Sequence, residues 1–429
     1  MTRGVLRLLA VVVHSLWEKQ DRSLLIAPSS IPMDDHDVTG ELTKYLEDQW
    51  RPVIEQDVDG AGSLPLRLDR ENPVFGRLSA ARRVARALYL GSAPTLNAAN
   101  KGLEDRQVKL ACVQPGESSN IFGDALRKLA DQATHLFQDG NRYWLSTRPS
   151  VNRIGEERAQ RWDIEEVREE LRRRLRDEVR KPSDFARTQA CPASPNDVAD
   201  EPEVRLVILG PESTLDGKAT DNRARAAAQA ILDRGGAGRQ CANALVFLAA
   251  DQVRLGELES AVRQFLAWQS IEKDPVGLNL DEFQKSQVEK RRKAAEDAVG
   301  QRIPETYIWL LVPEQPDPRQ AVSWRETKLQ GSNGLAPRAS KKLVNEGLLA
   351  VNWGGSLLRM DLDKIPLWRG DHVTVKQLAE DFARYVYLTR LKNTDVLLAA
   401  IADGSSLFTW EREGFAYGDS YDETARRFR

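Results

Sequence analysis

The side chains that most often bind metals or act as nucleophiles are scarce in this sequence of 429 residues. It has four histidines and three cysteines, and Cys112, Cys191 and Cys241 stand far apart. It has no Cys-x-x-Cys pair and no His-Glu-x-x-His segment, which argues against a zinc site and a disulfide scaffold. This cysteine usage is typical of a reducing compartment, so we expect a cytoplasmic protein.

Long apolar runs and an excess of one charge are also missing. No apolar run reaches the ~18 residues that a membrane-spanning helix needs, so we expect no membrane partner. The formal net charge is -2, which excludes a uniformly basic coat and restricts any nucleic-acid contact to a local patch. The apolar start resembles a signal peptide but has no small-residue cleavage site, so it predicts a buried helix over 3–19. Its abrupt beginning suggests a piece of a longer polypeptide.

A phosphate-binding loop is missing as well. The nearest candidate, Gly210–Thr220, has six residues between Gly210 and Gly217 instead of four, and Ala219 stands where a hydroxyl should bind magnesium. We therefore expect a surface loop there, and no cofactor bound by this chain itself. Asp216 and Lys218 in this loop leave a nuclease effector as a remote alternative.

The first predicted domain covers 1–150. Helices are expected over 38–56 and 77–90, a short strand over Gln107–Val113, and a helix over 119–132. Apolar segments then flank Asp139-Gly140-Asn141, which is typical of a hairpin. Helices followed by a hairpin are the order of a winged-helix module.

Three further segments follow. Residues 151–203 predict one long charged helix over 152–181 and a linker over 189–203. Residues 204–315 alternate apolar strands with helices, which predicts a parallel-sheet α/β domain. Residues 316–429 predict a second winged-helix-like module that ends in a hairpin formed by 405–410 and 414–417. The expected fold class is therefore α/β in the broad sense, a mixed α+β chain.

The opening helix carries the best functional clue. Gly4-Val5-Leu6-Arg7 has the form Gly-x-x-Arg at the start of an apolar helix. The lid of AAA+ ATPases uses this form for an arginine that reaches the γ-phosphate, because the start of that helix faces the nucleotide cleft. A permanently charged arginine there ties the lid angle to ATP hydrolysis.

Six stretches resemble the prokaryotic AAA+-type ATP-binding family catalogued as domain of unknown function 499. They span almost the whole chain: Thr2–Ala10, Arg82–Pro94, Val113–Ser118, Asp139–Pro149, Ala244–Asp251 and Tyr385–Leu391. The resemblance implies lid-like helices before the winged helix. It also implies ATP and magnesium for the complete family protein, although the loop that binds them lies upstream of anything in this sequence.

The resemblance also implies partners and site residues. Partners would be an upstream ATPase half or a separate ATPase chain, DNA, and the methyltransferase and helicase of anti-phage defence islands. Arg7, with Arg3 as the poorer second, is the expected nucleotide contact. The recognition helix would be Asn120–Ala133 and the wing Gln138–Arg142.

Basic side chains of this module would contact DNA phosphates: Arg127, Lys128 and Arg142. Arg82, Arg83 and Arg86 either widen that basic patch or face solvent. The chain is thus expected to be a portion without catalysis of its own, coupling nucleotide state to DNA or partner binding. The alternative is a stand-alone scaffold whose winged helices dock proteins.

Overall fold

The structure is a computed structural model. It describes residues 2–21, 23–44, 48–92, 101–217, 223–234, 238–331, 333–365, 367–370, 372–418, 421–422 and 427–428. Two compact units are present: Met1–Arg161 with Ser270–Glu289, and Trp162–Gln269 with Lys290–Arg429. The predicted mixed α/β class is confirmed.

The first unit is mainly helical. Its helices and strands are α1 (Thr2–Glu18), α2 (His36–Thr43), α3 (Trp50–Asp57), α4 (Leu64–Glu71), α5 (Pro73–Leu78), α6 (Ala80–Ser92), β1 (Leu103–Glu104), α7 (Asp105–Cys112), α8 (Ser119–Gln132), β2 (Leu136–Asp139), β3 (Arg142–Leu145) and α9 (Val151–Arg161).

A winged-helix topology occupies the middle of this unit. The chain runs α6, β1, α7, α8, β2, β3, and the small antiparallel sheet has the order β1-β3-β2. The core is apolar and includes Leu88 of α6, Phe122 and Leu126 of α8, and Leu145 of β3. The helix expected as the recognition helix lies within one residue of α8 at each end.

The strand predicted over Gln107–Val113 is wrong, because this segment is helix α7. Glu104 precedes the helix, and its backbone N–H donates to Oε1 of Gln107 at 2.9 Å while its side chain accepts from the backbone of Gln107. This reciprocal capping box stabilises the start of a helix. It outweighs the short alternation of apolar residues that indicated a strand.

The second unit combines a sheet with helices. Its elements are α10 (Ile164–Glu178), β4 (Arg187–Ala190), β5 (Arg205–Ile208), β6 (Thr214–Leu215), α11 (Arg223–Asp233), β7 (Leu245–Asp251), α12 (Gln252–Glu272), α13 (Glu282–Thr306), β8 (Tyr307–Glu314), β9 (Ser323–Lys328), α14 (Leu335–Asn345), α15 (Gly355–Lys364), α16 (Val375–Arg384), α17 (Thr394–Ser405), α18 (Trp410–Glu413), β10 (Tyr421–Asp422) and β11 (Arg427–Phe428). The end of α12 and the first turns of α13 belong to the first unit.

The single long helix predicted over 152–181 is divided. Helix α9 ends at Arg161, and α10 begins at Ile164 after a new N-cap. The Asp163 carboxylate accepts from the backbone of Ile164 at 2.6 Å, and Glu166 accepts from the backbone N–H of Asp163 at 3.2 Å. An Asp that caps in this way competes with continuation of the preceding helix.

The sheet of the second unit is only partly parallel. Its order is β4-β5-β7-β8-β9, and β6 also pairs with β7. Pairs among β4 to β7 are parallel, whereas β8 runs antiparallel to both β7 and β9. A connection with one helix brings the next strand back parallel to the first. Two helices, α12 and α13, connect β7 to β8, and β8 is antiparallel to β7. The sheet also extends beyond 204–315, because β4 lies in 151–203, where a long helix and a linker were expected, and β9 lies in the expected last segment.

Both faces of this sheet are covered. Leu206, Val246 and Leu310 point into one core, which includes residues of α10, α12 and α14. Alternate residues such as Val207 and Phe247 point into the other core, with α11. Continuous burial on both sides is the reason that these strands are apolar at nearly every position.

The second winged helix is not formed in the described residues of 316–429. Helices α15, α16 and α17 build an apolar bundle instead. A Cβ on Gly355 would meet Cα of Gly404 at 2.2 Å, so both glycines allow α15 and α17 to cross closely. The predicted hairpin is also wrong: α17 runs to Ser405, and Thr409 Oγ1 donates to Glu413 at 2.7 Å across the short helix α18.

Candidate functional site

Helix α1 exposes a row of large apolar side chains. Its packed side includes Val12, which is 1% exposed, and Ser15, whose hydroxyl donates to Asp35 at 2.5 Å. A second side is open to solvent, with exposed fractions between 48% and 73%: Val5, Leu6, Leu9, Val13 and Trp17. The expectation of a buried helix is therefore wrong for this side, although the helix itself is formed. We call these five side chains the α1 apolar face.

Arg7 lies beside the α1 apolar face. Its Nε is 3.0 Å from Oε1 of Glu41 on α2, and its side chain is 65% exposed. Arg3 precedes Arg7 by one turn and is exposed. Helix α2 thus holds the Arg7 guanidinium at the surface, where a phosphate would compete with one carboxylate.

The exposed side of α8 is balanced in charge. Arg127 pairs with Asp124 one turn earlier, and the Lys128 ammonium lies over the Phe75 ring at 5.8 Å. Asp131 is also exposed on this helix. Two cations and two carboxylates therefore share the helix, which is a poor match for a continuous row of phosphates.

Arg142 lies apart from these two cations. In the hairpin, Phe137 faces Trp144 and Asp139 faces Arg142. Because side chains alternate along a strand, these four share the outer face, whereas Tyr143 and Leu145 point into the winged-helix core. Arg142 donates to Glu104 and to the carbonyls of Lys101 and Gly102, each at 3.3 Å. Arg142 is thus held on β3, whereas Arg127 and Lys128 lie on α8.

The three arginines of α6 do not form a basic patch. Arg82 and Arg86 both bind Asp59, which is 7% exposed. Arg83 binds both carboxylate oxygens of Glu117, at 2.9 and 3.0 Å. These pairs stabilise the first unit and leave little charge for a nucleic acid.

The loop considered for phosphate binding has another role. Strand β6 occupies its middle and pairs with β7 in parallel. Gly217 has φ +70°, and a Cβ there would meet the Trp309 ring at 2.6 Å. Lys218, Ala219 and Thr220 lie outside the described residues. Within 210–217, Thr214 and Leu215 thus belong to the sheet.

The three thiols are buried or partly buried. Burial raises the pKa of Cys112 and Cys191 to about 12 and that of Cys241 to about 11. Such thiols stay protonated near neutral pH and are poor nucleophiles. Within the described part of the chain, no three His, Cys, Asp or Glu side chains converge to hold a metal ion.

Two concave sites were not anticipated from the sequence. One, of about 400 Å³, lies in the carboxy-terminal bundle and has walls that include Trp368, His372 and Tyr417. The other, of about 350 Å³, lies on the outer face of the wing hairpin. Strand alternation places Phe137, Arg142 and Trp144 together and could have indicated the second site. Phe283 is too far away in the sequence for any local pattern to predict.

Comparisons with known proteins add no relative: no protein-family model, curated protein or solved structure matches the chain. No helix among the described residues has the length and apolarity to cross a membrane.

Proposed function

We propose that this chain is an accessory, non-catalytic part of a cytoplasmic, defence-associated AAA+-type machine. It corresponds to the carboxy-terminal portion of the family that its sequence resembles. It joins an ATPase polypeptide that supplies the phosphate-binding loop, ATP and magnesium. The observation that carries this proposal is the α1 apolar face, open to solvent with Arg7 beside it.

Helix α1 has the character of a helix that needs a partner. Fully burying one large aliphatic side chain is worth about 1.5–3 kcal/mol. Contiguous exposed apolar side chains on a soluble protein mark sites of protein contact. Leu24, Leu25 and Ile26, which follow α1, are also more than half exposed. An ATPase core docked on α1 would cover such side chains.

Arg7 would then link docking to nucleotide state. The guanidinium lies at the edge of the docking surface, held by Glu41 at 3.0 Å. A γ-phosphate in the partner would attract Arg7 away from Glu41, and hydrolysis would release it. This exchange would change the angle of α1 and so move the winged helix relative to the ATPase core.

The test is reconstitution. ATP hydrolysis is measured for this chain alone, for a polypeptide that carries the phosphate-binding loop of the AAA+-type family, and for their mixture. We expect no turnover by this chain alone and a gain on mixing. The Arg7→Ala variant should lower the gain by about tenfold or more, and Arg51→Ala, in the same unit and 72% exposed, should not. Hydrolysis by the isolated chain would contradict the proposal.

A second candidate is an interaction scaffold in which the winged helix docks protein instead of DNA. The charge balance of α8 favours it, because Arg127 is paired with Asp124. The triple variant Arg127→Ala, Lys128→Ala, Arg142→Ala distinguishes DNA binding from protein docking by the winged helix. Loss of salt-sensitive affinity for duplex DNA would support DNA binding by the winged helix, and unchanged or absent duplex affinity would support the scaffold.

A further inference from the structure

A cleft lies on the outer face of the wing hairpin. Its volume is about 350 Å³, within the range of about 300–1,000 Å³ that small-molecule sites occupy. The first turn of α13 forms one wall. Gln287 Nε2 donates to the Gln138 carbonyl at 2.7 Å, and Gln284 Nε2 donates to the Pro149 carbonyl at 3.4 Å. These bonds hold the helix and the hairpin together, so the cleft is a built feature of the first unit.

Three aromatic rings line the cleft in series. The rings of Phe137 and Trp144 are stacked, with centroids 5.9 Å apart and planes 14° apart. The Phe283 ring meets Trp144 on a tilt, at 5.6 Å and 48°. Phe137 is 6% exposed, whereas Trp144 and Phe283 are half-buried. Trp144 therefore offers ring surface to a flat ligand.

Cations surround these rings. Lys101, Arg142 and Arg148 line the cleft, against the carboxylates of Asp139 and Asp281. Asp281 is already engaged, because its Oδ1 accepts from the backbone of Gln284 at 2.8 Å. In the part of the chain that the structure describes, the Lys101 ammonium and the Arg148 guanidinium form no ion pair. Two cations that form no ion pair among the described residues, beside a half-buried indole, are suited to a ligand that is both flat and anionic.

We propose that this cleft binds a nucleotide unit of a single-stranded nucleic acid, with the base on Trp144 and the phosphate between Lys101 and Arg148. Stacking on an aromatic side chain and contact with basic groups are the two interactions by which proteins hold single strands. Arg142, fixed by Glu104 and two carbonyls, would form the floor beside the base. This inference does not rest on the docking of α1.

A single strand fits better than the alternatives. In a duplex both faces of each base are stacked on neighbours, so Trp144 would have no base face to contact. An acidic peptide would use Lys101 and Arg148 but would leave the aromatic rings without a role. A free nucleotide has the same chemistry as one unit of a strand, and the experiment must therefore separate these two sources.

The test measures fluorescence anisotropy of a labelled oligonucleotide of about 12 nucleotides with the full chain. The cleft variant carries Lys101→Glu and Arg148→Glu. The matched control carries Arg51→Glu and Arg67→Glu, which reverse two exposed charges elsewhere in the first unit. Trp144→Leu removes the stacking surface, and Trp144→Phe keeps it. Circular dichroism confirms that each variant is folded.

We expect salt-sensitive affinity for the single strand. It should fall by about tenfold or more in the cleft variant and in Trp144→Leu. It should stay within about twofold in the control with Arg51→Glu and Arg67→Glu and in Trp144→Phe. The proposal is overturned if the control with Arg51→Glu and Arg67→Glu loses as much affinity as the cleft variant, or if the single strand does not bind. It is equally overturned if a duplex binds more tightly, or if a nucleoside monophosphate or poly-glutamate competes as well as the unlabelled strand.

Discussion

Arg390 and Asn243 are joined by a hydrogen bond inside the second unit. The Arg390 Nε donates to the Asn243 carbonyl at 2.6 Å. The Asn243 amide donates in turn to the carbonyls of Phe382 and Leu388, at 2.9 and 3.2 Å. The residue that leads into β7 is thus joined in both directions to the segment after α16. This pair connects the sheet to the carboxy-terminal helices.

Removing the Arg390 guanidinium should destabilise this unit severely. Arg390 is 5% exposed and also donates to the carbonyls of Leu348 and Pro313, each at 3.2 Å. Burial lowers its pKa to about 10, so the group is still a charged donor at neutral pH. Arg390→Met leaves three carbonyls without this donor, and we expect a loss of about 3 kcal/mol or more in the free energy of unfolding.

A surface arginine provides the comparison in chemical denaturation. Arg187 on β4 is 62% exposed and pairs with Glu203. Arg187→Met should change the free energy of unfolding by less than about 1 kcal/mol. Equal effects of the two substitutions would show that the hydrogen bonds from Arg390 to the three carbonyls contribute little to the stability of the unit.

Acid should weaken the first unit through Glu117. Burial opposes ionisation of this carboxyl, but two hydrogen bonds from Arg83 outweigh burial, so the pKa lies below its ordinary value. A lowered folded-state pKa adds stability above the unfolded-state pKa, and that stability is lost as the pH falls through the folded-state pKa. Glu117→Gln should therefore melt lower than the parent above about pH 4.5, and the gap should narrow below it. A gap that is independent of pH would contradict this origin.

The thiols should be unreactive in the native chain. Burial raises the pKa of all three, with the neighbouring Asp200 adding to the effect at Cys241. At pH 8, alkylation with iodoacetamide should be slower than in denaturant by about two orders of magnitude or more. Mass spectrometry of the modified peptides measures each site. Fast labelling of Cys191 in the native state would contradict this prediction and would indicate a reactive thiol in the second unit.

Local patterns predicted α8 and the hairpin of the first unit, and the rest of the chain unevenly. The periodicity of Phe122, Leu126 and Leu129 indicated α8, and Asp139-Gly140-Asn141 indicated the hairpin turn. Helix caps account for two of the wrong predictions. Glu104 with Gln107 began a helix where alternation indicated a strand, and Asp163 with Glu166 divided a helix that its charge pattern indicated as continuous.

Residues far apart in the sequence account for what could not be predicted. The order of strands placed β8 antiparallel to β7, although each reads as the same kind of apolar run. The cleft needs Phe283 beside Trp144, and the α1 apolar face depends on which side of the helix packs on α2. No one-dimensional pattern distinguishes a buried apolar side from an open one.

The α1 apolar face should tolerate polar substitution in the isolated chain. Leu9 is 48% exposed and Val12 is 1% exposed on the same helix. Leu9→Gln should leave the melting temperature nearly unchanged, because little apolar contact is lost. Val12→Asn buries an unpaired amide and should cost about 2–4 kcal/mol. If Leu9→Gln were as damaging as Val12→Asn, Leu9 would be part of a core and the face would not be open.

The most direct measurement of the central claim compares two lysine substitutions at exposed leucines in the reconstituted ATPase. Leu9→Lys places a charge in the α1 apolar face, and Leu110→Lys places one on α7, at a side chain that is 80% exposed. We predict that the chain with Leu9→Lys no longer binds the ATPase polypeptide or raises its ATP turnover, and that the chain with Leu110→Lys does both as the parent does. Stimulation by the Leu9→Lys chain equal to that by the parent would contradict docking through α1.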